Sequence, residues 1–150
     1  KVLRILENIN SQMHITLLYE KKYRANYKSY YEKIRKLDSL FAKGFSGLQK
    51  KDFVVYHPAW TYLAADYGLV QTSIERHGKT PNAGDLAEII RFGKEKNIRT
   101  IFTEKQSNPK HAERIASEIG AKVGVLDPLP EDYISGMTSV YEELMKELSK

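Results

Sequence analysis

Apolar positions in the first third of the chain recur every three or four residues. From Phe53 onward they gather into short runs separated by turns. Leu3, Ile5, Leu6 and Ile9 fit one face of a short helix. After a break over residues 10–16, Tyr19, Tyr23, Tyr27, Tyr30, Tyr31, Ile34, Leu37, Leu40 and Phe41 predict a longer helix over residues 17–43, with Gly44 and Gly47 placed to end it. Such a helix is about 40 Å long at 1.5 Å per residue. That length suits either a stiff connection between two lobes or a helix packed along its own sheet.

The second part alternates. Residues 53–56, 69–74, 99–103 and 122–126 read as strands, and residues 60–66, 82–96, 109–119 and 132–148 as helices. Asn82 is placed as an N-cap with Asp85 three residues on, Asn108 precedes Pro109 in the same way, and Gly120 stands where the next helix should close. Strand and helix in turn, with short links, predict an α/β fold: a parallel four-stranded sheet flanked by helices and preceded by a long linker helix. The expected division is a helical segment at residues 1–50, containing the long inter-lobe helix, and an α/β lobe at residues 51–150.

Composition narrows the class. The chain has 150 residues, 41% of them hydrophobic and 29% charged, enough for a core and too apolar for a disordered segment. Its net charge of +5 is modest. Lys21, Lys22, Arg24, Lys28, Lys33, Arg35 and Lys36 are scattered among acids and tyrosines on one helix. They read as a solvated face, and nucleic acid is not expected as a partner. With no cysteine, disulfides and thiolate metal sites are ruled out. No signal peptide, membrane-spanning run or lipidation motif is visible. The chain opens in mid-pattern at Lys1-Val-Leu-Arg-Ile, without an initiator Met or a cap, as a piece of a longer protein would.

Chemistry gathers at strand ends. The run Phe53-Val-Val-Tyr56 stops at His57-Pro58, Val123-Gly-Val-Leu126 stops at Asp127-Pro128, and Ile101-Phe-Thr103 stops at Glu104. The carboxyl ends of parallel strands share one edge, where open α/β sheets bind ligands. Imidazole and carboxylate together suit zinc, manganese or iron. On position alone His57 can be a ligand, a base or a packed strand-end histidine, and Asp127 a ligand or the start of an Asp-Pro turn. The same choice faces Glu104. A closed structural zinc site takes four protein ligands, which the sheet edge does not clearly supply. His14, His77 and His111 read as exposed. There is no Gly-x-Ser-x-Gly elbow and no Gly-rich phosphate loop after the first strand.

These residues carry a resemblance. Val54-Val-Tyr-His-Pro-Ala-Trp-Thr-Tyr-Leu-Ala-Ala-Asp-Tyr-Gly68 resembles the motif with which the solute-binding proteins of zinc and manganese ABC importers supply a ligand from their C-terminal lobe. Ile74-Glu-Arg-His-Gly-Lys-Thr-Pro81, Ile101-Phe-Thr-Glu-Lys-Gln-Ser-Asn-Pro-Lys110, Leu126-Asp-Pro-Leu129 and Asp132-Tyr-Ile-Ser-Gly-Met137 come next in the family's order, and Tyr23-Arg-Ala-Asn-Tyr27 is similar to its inter-lobe helix.

The resemblance implies that His57 and Asp127 are two of four metal ligands, with Glu104 beside them, supporting the site or reaching the metal itself. A histidine at position 57 fits the zinc-leaning branch and leaves manganese and iron open. The family's N-terminal lobe, with its two further histidines, has no counterpart here, and His14 does not lie in that lobe's motif. The implied function is the C-terminal half of a receptor, not an enzyme, that captures zinc for an ABC permease outside the cytoplasm. The isolated lobe would hold metal weakly or not at all. Two other classes remain in view: a small metal-dependent hydrolase using the same His and acids, and an interaction module built on the tyrosine-rich helix.

Overall fold

The computed structural model describes residues 2–12, 19–75, 81–106 and 108–149. Contacts group them into two compact units, Lys1–Ala42 and Lys43–Lys150. In the first, helix α1 spans Val2–Gln12 and helix α2 begins at Glu20 and runs to Ser46. α1 continues through Asn10, past the expected start of the break, and residues 13–18 lie outside the described set. Tyr31 on α2 donates a hydrogen bond to Glu7 on α1 at 3.1 Å. Tyrosines four apart on α2 meet ring to ring, Tyr27 and Tyr31 with centroids at 5.6 Å, the spacing that brings side chains together on one helical face.

Gly44 does not end α2, which passes through it to Ser46. A Cβ at position 44 would run into the Tyr141 ring, so Gly44 serves a close approach and Gly47 stands just past the true end. In the second unit, Phe45 packs beside Tyr141 and Tyr67, with centroids at 5.4 and 6.2 Å.

The remaining elements are β1 (Asp52–Val55), α3 (Thr61–Tyr67), β2 (Val70–Ser73), α4 (Ala83–Glu95), β3 (Thr100–Thr103), α5 (Lys110–Ile119), β4 (Lys122–Val125) and α6 (Tyr133–Leu148). The strands form one sheet in the order β2-β1-β3-β4, and every pairing is parallel. The expected α/β architecture and parallel four-stranded sheet are therefore present. Val54 and Ile101 are register partners and fall in a core with Ile74, Ile89, Ile98, Ala112, Ile115 and Ala116, which places α4 and α5 over that face. Phe53, Val55 and Phe102 alternate with them, are equally buried and point the other way, where α6 packs on β1.

Caps set the helix starts. Asn82 and Asp85 form a reciprocal capping box at α4, each side chain accepting from the other's backbone N–H at 3.0 Å. α5 starts one residue later than expected: Pro109 precedes it, and Asn108 Oδ1 accepts from Lys110 N at 3.1 Å. Because proline has no N–H to offer, the first amide Asn108 can reach is that of Lys110. Gly120 closes α5 in the left-handed region, φ 81°.

At the amino edge of the sheet, Glu147 of α6 is 2% exposed. Its Oε1 accepts from Lys50 Nζ at 2.6 Å and from Arg99 N at 3.1 Å. Lys50 also donates to Asn97 O at 3.0 Å. These bonds tie the segment before β1, the start of β3 and the end of α6 to one carboxylate.

Candidate metal site

The sheet order decides where a ligand can sit. From β1 the chain moves to β2 on one side, then crosses back to place β3 and β4 on the other. The order reverses between β1 and β3, and the crevice at that point, outside the carboxyl ends, is the binding position of open α/β sheets. Val55 is in register with Ser73 and with Phe102. His57, Glu75 and Glu104 each stand two residues beyond these partners, just past the ends of three adjacent strands. Asp127 stands two residues beyond Val125, which pairs with Thr103.

Backbone hydrogen bonds carry the ladder past the strand limits. Tyr56 N donates to Phe102 O at 2.7 Å, Glu75 N to Tyr56 O at 2.9 Å, and Leu126 N to Thr103 O at 3.0 Å. The residue before His57 is thus held from both sides, by β3 and by the extension of β2. Pro58 then turns the chain away. Ala59 N closes on His57 O at 2.8 Å, and Trp60 N donates to the Gln71 side chain at 2.8 Å.

The imidazole of His57 pairs through Nδ1 with Glu75 Oε2 at 2.9 Å, with 47% and 20% of the two side chains exposed. Glu104 is half-buried. Asp127, also half-buried, uses Oδ1 to accept from Leu129 N at 3.0 Å, an Asx turn of the kind its Asp-Pro sequence favours. One carboxylate oxygen therefore serves the turn, and the turn reading and the ligand reading are compatible. Tyr56 is partly buried against the core, its ring 6.4 Å from that of His111. Burial first, and the Glu75 charge second, push its hydroxyl above the ordinary tyrosine value.

The structure brings His57 together with Glu75, a residue that reading strand ends for His57, Glu104 and Asp127 passed over. The signal was present, since Glu75 comes directly after the expected strand at 69–74 as the others come after theirs. Among the described residues there is no group of three or more His, Cys, Asp or Glu able to hold a metal ion. The donor types suit zinc, but the described residues of the lobe do not close a four-coordinate shell. His111 is exposed, as expected. His14 and His77 lie outside the described residues.

Comparison with known proteins bears on the chain as a whole. Residues 2–148 match the family described as ZnuA, zinc-uptake complex component A, periplasmic. The high-affinity zinc uptake system protein ZnuA of Bacillus subtilis (strain 168) is 38% identical over 109 residues, 71% of this chain and 34% of the relative. The zinc-binding lipoprotein AdcA of Streptococcus pneumoniae (strain ATCC BAA-255 / R6) is 32% identical over 159 residues, 100% of this chain and 32% of the relative. A crystal structure of ZnuA superposes with a TM-score of 0.84 at 33% identity, covering 95% of this chain and 55% of that one. The chain thus spans about a third of the length of these two relatives.

Proposed function

The chain belongs to the zinc-uptake complex component A family over residues 2–148, and from that premise we propose that it is the metal-binding α/β lobe of an extracytoplasmic receptor. Zinc is its cargo and an ABC permease its destination. His57 and Asp127 supply two ligands, Glu104 stands beside them, and the rest of the shell comes from a second lobe, carried on the same polypeptide or another. The long helix α2 is the connection between lobes, which puts the boundary of the α/β lobe near residue 51. The observation that carries the reading is His57 at the end of β1, beside the point where the strand order reverses, with Glu104 and Asp127 ending the next two strands.

The chain performs no chemistry in this reading. A hydrolase would need a base and an open metal position for water, and the two relatives are described as zinc-uptake and zinc-binding proteins, which supports a receptor. The periplasmic family description and the lipoprotein relative support a place outside the cytoplasm. Among the described residues no helix is long and apolar enough to cross a membrane.

Calorimetric titration of the chain with zinc tests the assignment. Two ligands without a closed cleft forfeit bonds and preorganisation, so binding should be weak, and weaker still in His57→Ala and in Asp127→Ala. Tight one-to-one binding that survives both substitutions together would show that the ligands lie elsewhere.

A further inference from the structure

Resting on the reading of His57 as a ligand, we infer that Glu75 is a positioning residue for the metal site: through the His57 Nδ1–Glu75 Oε2 hydrogen bond it fixes the imidazole tautomer and ring plane that present Nε2 to the ion. A carboxylate only accepts, so the nitrogen facing it must carry the proton. With the proton on Nδ1, the neutral ring keeps its lone pair on Nε2, the atom left to bind a cation. Metal-binding histidines commonly donate their other N–H to a carboxylate in this way, and loss of such a partner costs roughly 10–100-fold in metal affinity.

Three features of the structure favour this role over that of an ordinary surface ion pair. The carboxylate is the more buried partner of this 2.9 Å bond, 20% exposed against 47% for the imidazole. Neither end hangs on a long free segment: Glu75 N is bonded to Tyr56 O at 2.9 Å, and Tyr56 N to Phe102 O at 2.7 Å. The pair therefore rides on the ladder of β1, β2 and β3, which fixes the two backbones relative to each other. Finally, the shared register leaves Glu75 and His57 at the same height, two residues beyond the partners Ser73 and Val55. An exposed ion pair built for stability alone contributes about 0–1 kcal/mol and sets no tautomer requirement.

The test separates geometry from metal binding by using the metal-free protein first. Long-range 15N–1H correlation spectra of the His57 ring, above the pH at which it is protonated, should show the proton on Nδ1 in the wild type and in Glu75→Gln, whose amide oxygen can still accept. Glu75→Ala should shift the population toward the Nε2–H form. Zinc titration should then give a 10–100-fold loss of affinity in Glu75→Ala and partial recovery in Glu75→Gln. If His57→Ala loses zinc while Glu75→Ala changes neither tautomer nor affinity, the role of Glu75 is wrong and the ligand assignment stands. If zinc binding is unchanged in His57→Ala, the ligand assignment fails and the inference fails with it.

Discussion

Tyr56 is the residue through which the site and the core meet. Its ring packs against the apolar cluster on the α4–α5 face, and its backbone pairs with both neighbouring strands one residue before His57. Its hydroxyl is raised from 10.0, by burial first and by the Glu75 charge second. The folded protein therefore holds this proton to higher pH than the unfolded chain does. The stabilising contribution is complete below about pH 10 and is lost as pH rises through the folded value. Tyr56→Phe removes the titration, so its stability should fall less steeply than wild type across the alkaline range. Urea midpoints collected at intervals from pH 8 to 11 check this, and parallel curves for the two proteins would sink it. The residues of the edge were legible to different degrees. His57, Glu104 and Asp127 stand out because each is the polar residue that terminates a strongly apolar run. Glu75 was passed over because its strand, β2, has a weaker apolar pattern, with Val70 49% exposed and Gln71, Thr72 and Ser73 next along the strand.

At the scale of elements, periodicity located each strand and helix because packing enforces the same spacing that reveals it. Val54 and Ile101 face α4 and α5 while Phe53, Val55 and Phe102 face the other way, so the strands of the centre had to be apolar throughout. One expected boundary was misplaced for a physical reason. Gly44 looked like a helix stop, but it answers the Tyr141 ring of α6, a contact 97 residues away that no local pattern contains. Glu147, which no local pattern singles out, lies on the same face of α6 as buried Val140 and Leu144, at helical spacings of seven and three. Its burial is tolerable because Lys50 reaches it at 2.6 Å, with only 17% of the lysine side chain and 1% of the glutamate exposed. Removing the cation alone should be costly: Lys50→Met leaves a buried carboxylate uncompensated, at about 3–5 kcal/mol. Lys50→Met combined with Glu147→Gln should recover much of that loss, because the neutral amide needs no counter-charge. Urea denaturation of the two variants decides it, and equal stability in both would show that the ion pair is incidental.

For the whole molecule, the decisive contrast is between a metal that builds a fold and a metal that visits one. Small zinc domains unfold without their ion because ligand bonds replace a missing core. Here the sheet is covered on both faces, Phe45, Phe53, Phe102, Ile74, Ile89, Ile101, Leu126 and Leu144 are fully buried, and the candidate ligands stand at the rim. His57 is exposed and Asp127 half-buried, and neither is wedged between elements that would separate without an ion. The core and the candidate site are therefore separate, as the proposed receptor role requires. The chain should unfold cooperatively in the presence of a strong chelator, with a thermal midpoint matching that of untreated protein. Added zinc should raise that midpoint only by as much as weak binding to the native state allows, in step with the ratio of free zinc to its dissociation constant. Circular dichroism melts with chelator, without it and with excess zinc provide the measurement. A cooperative transition that disappears on chelation would mean that metal holds the lobe together, and the rim would then have to be read as a structural site instead of a place where cargo is received.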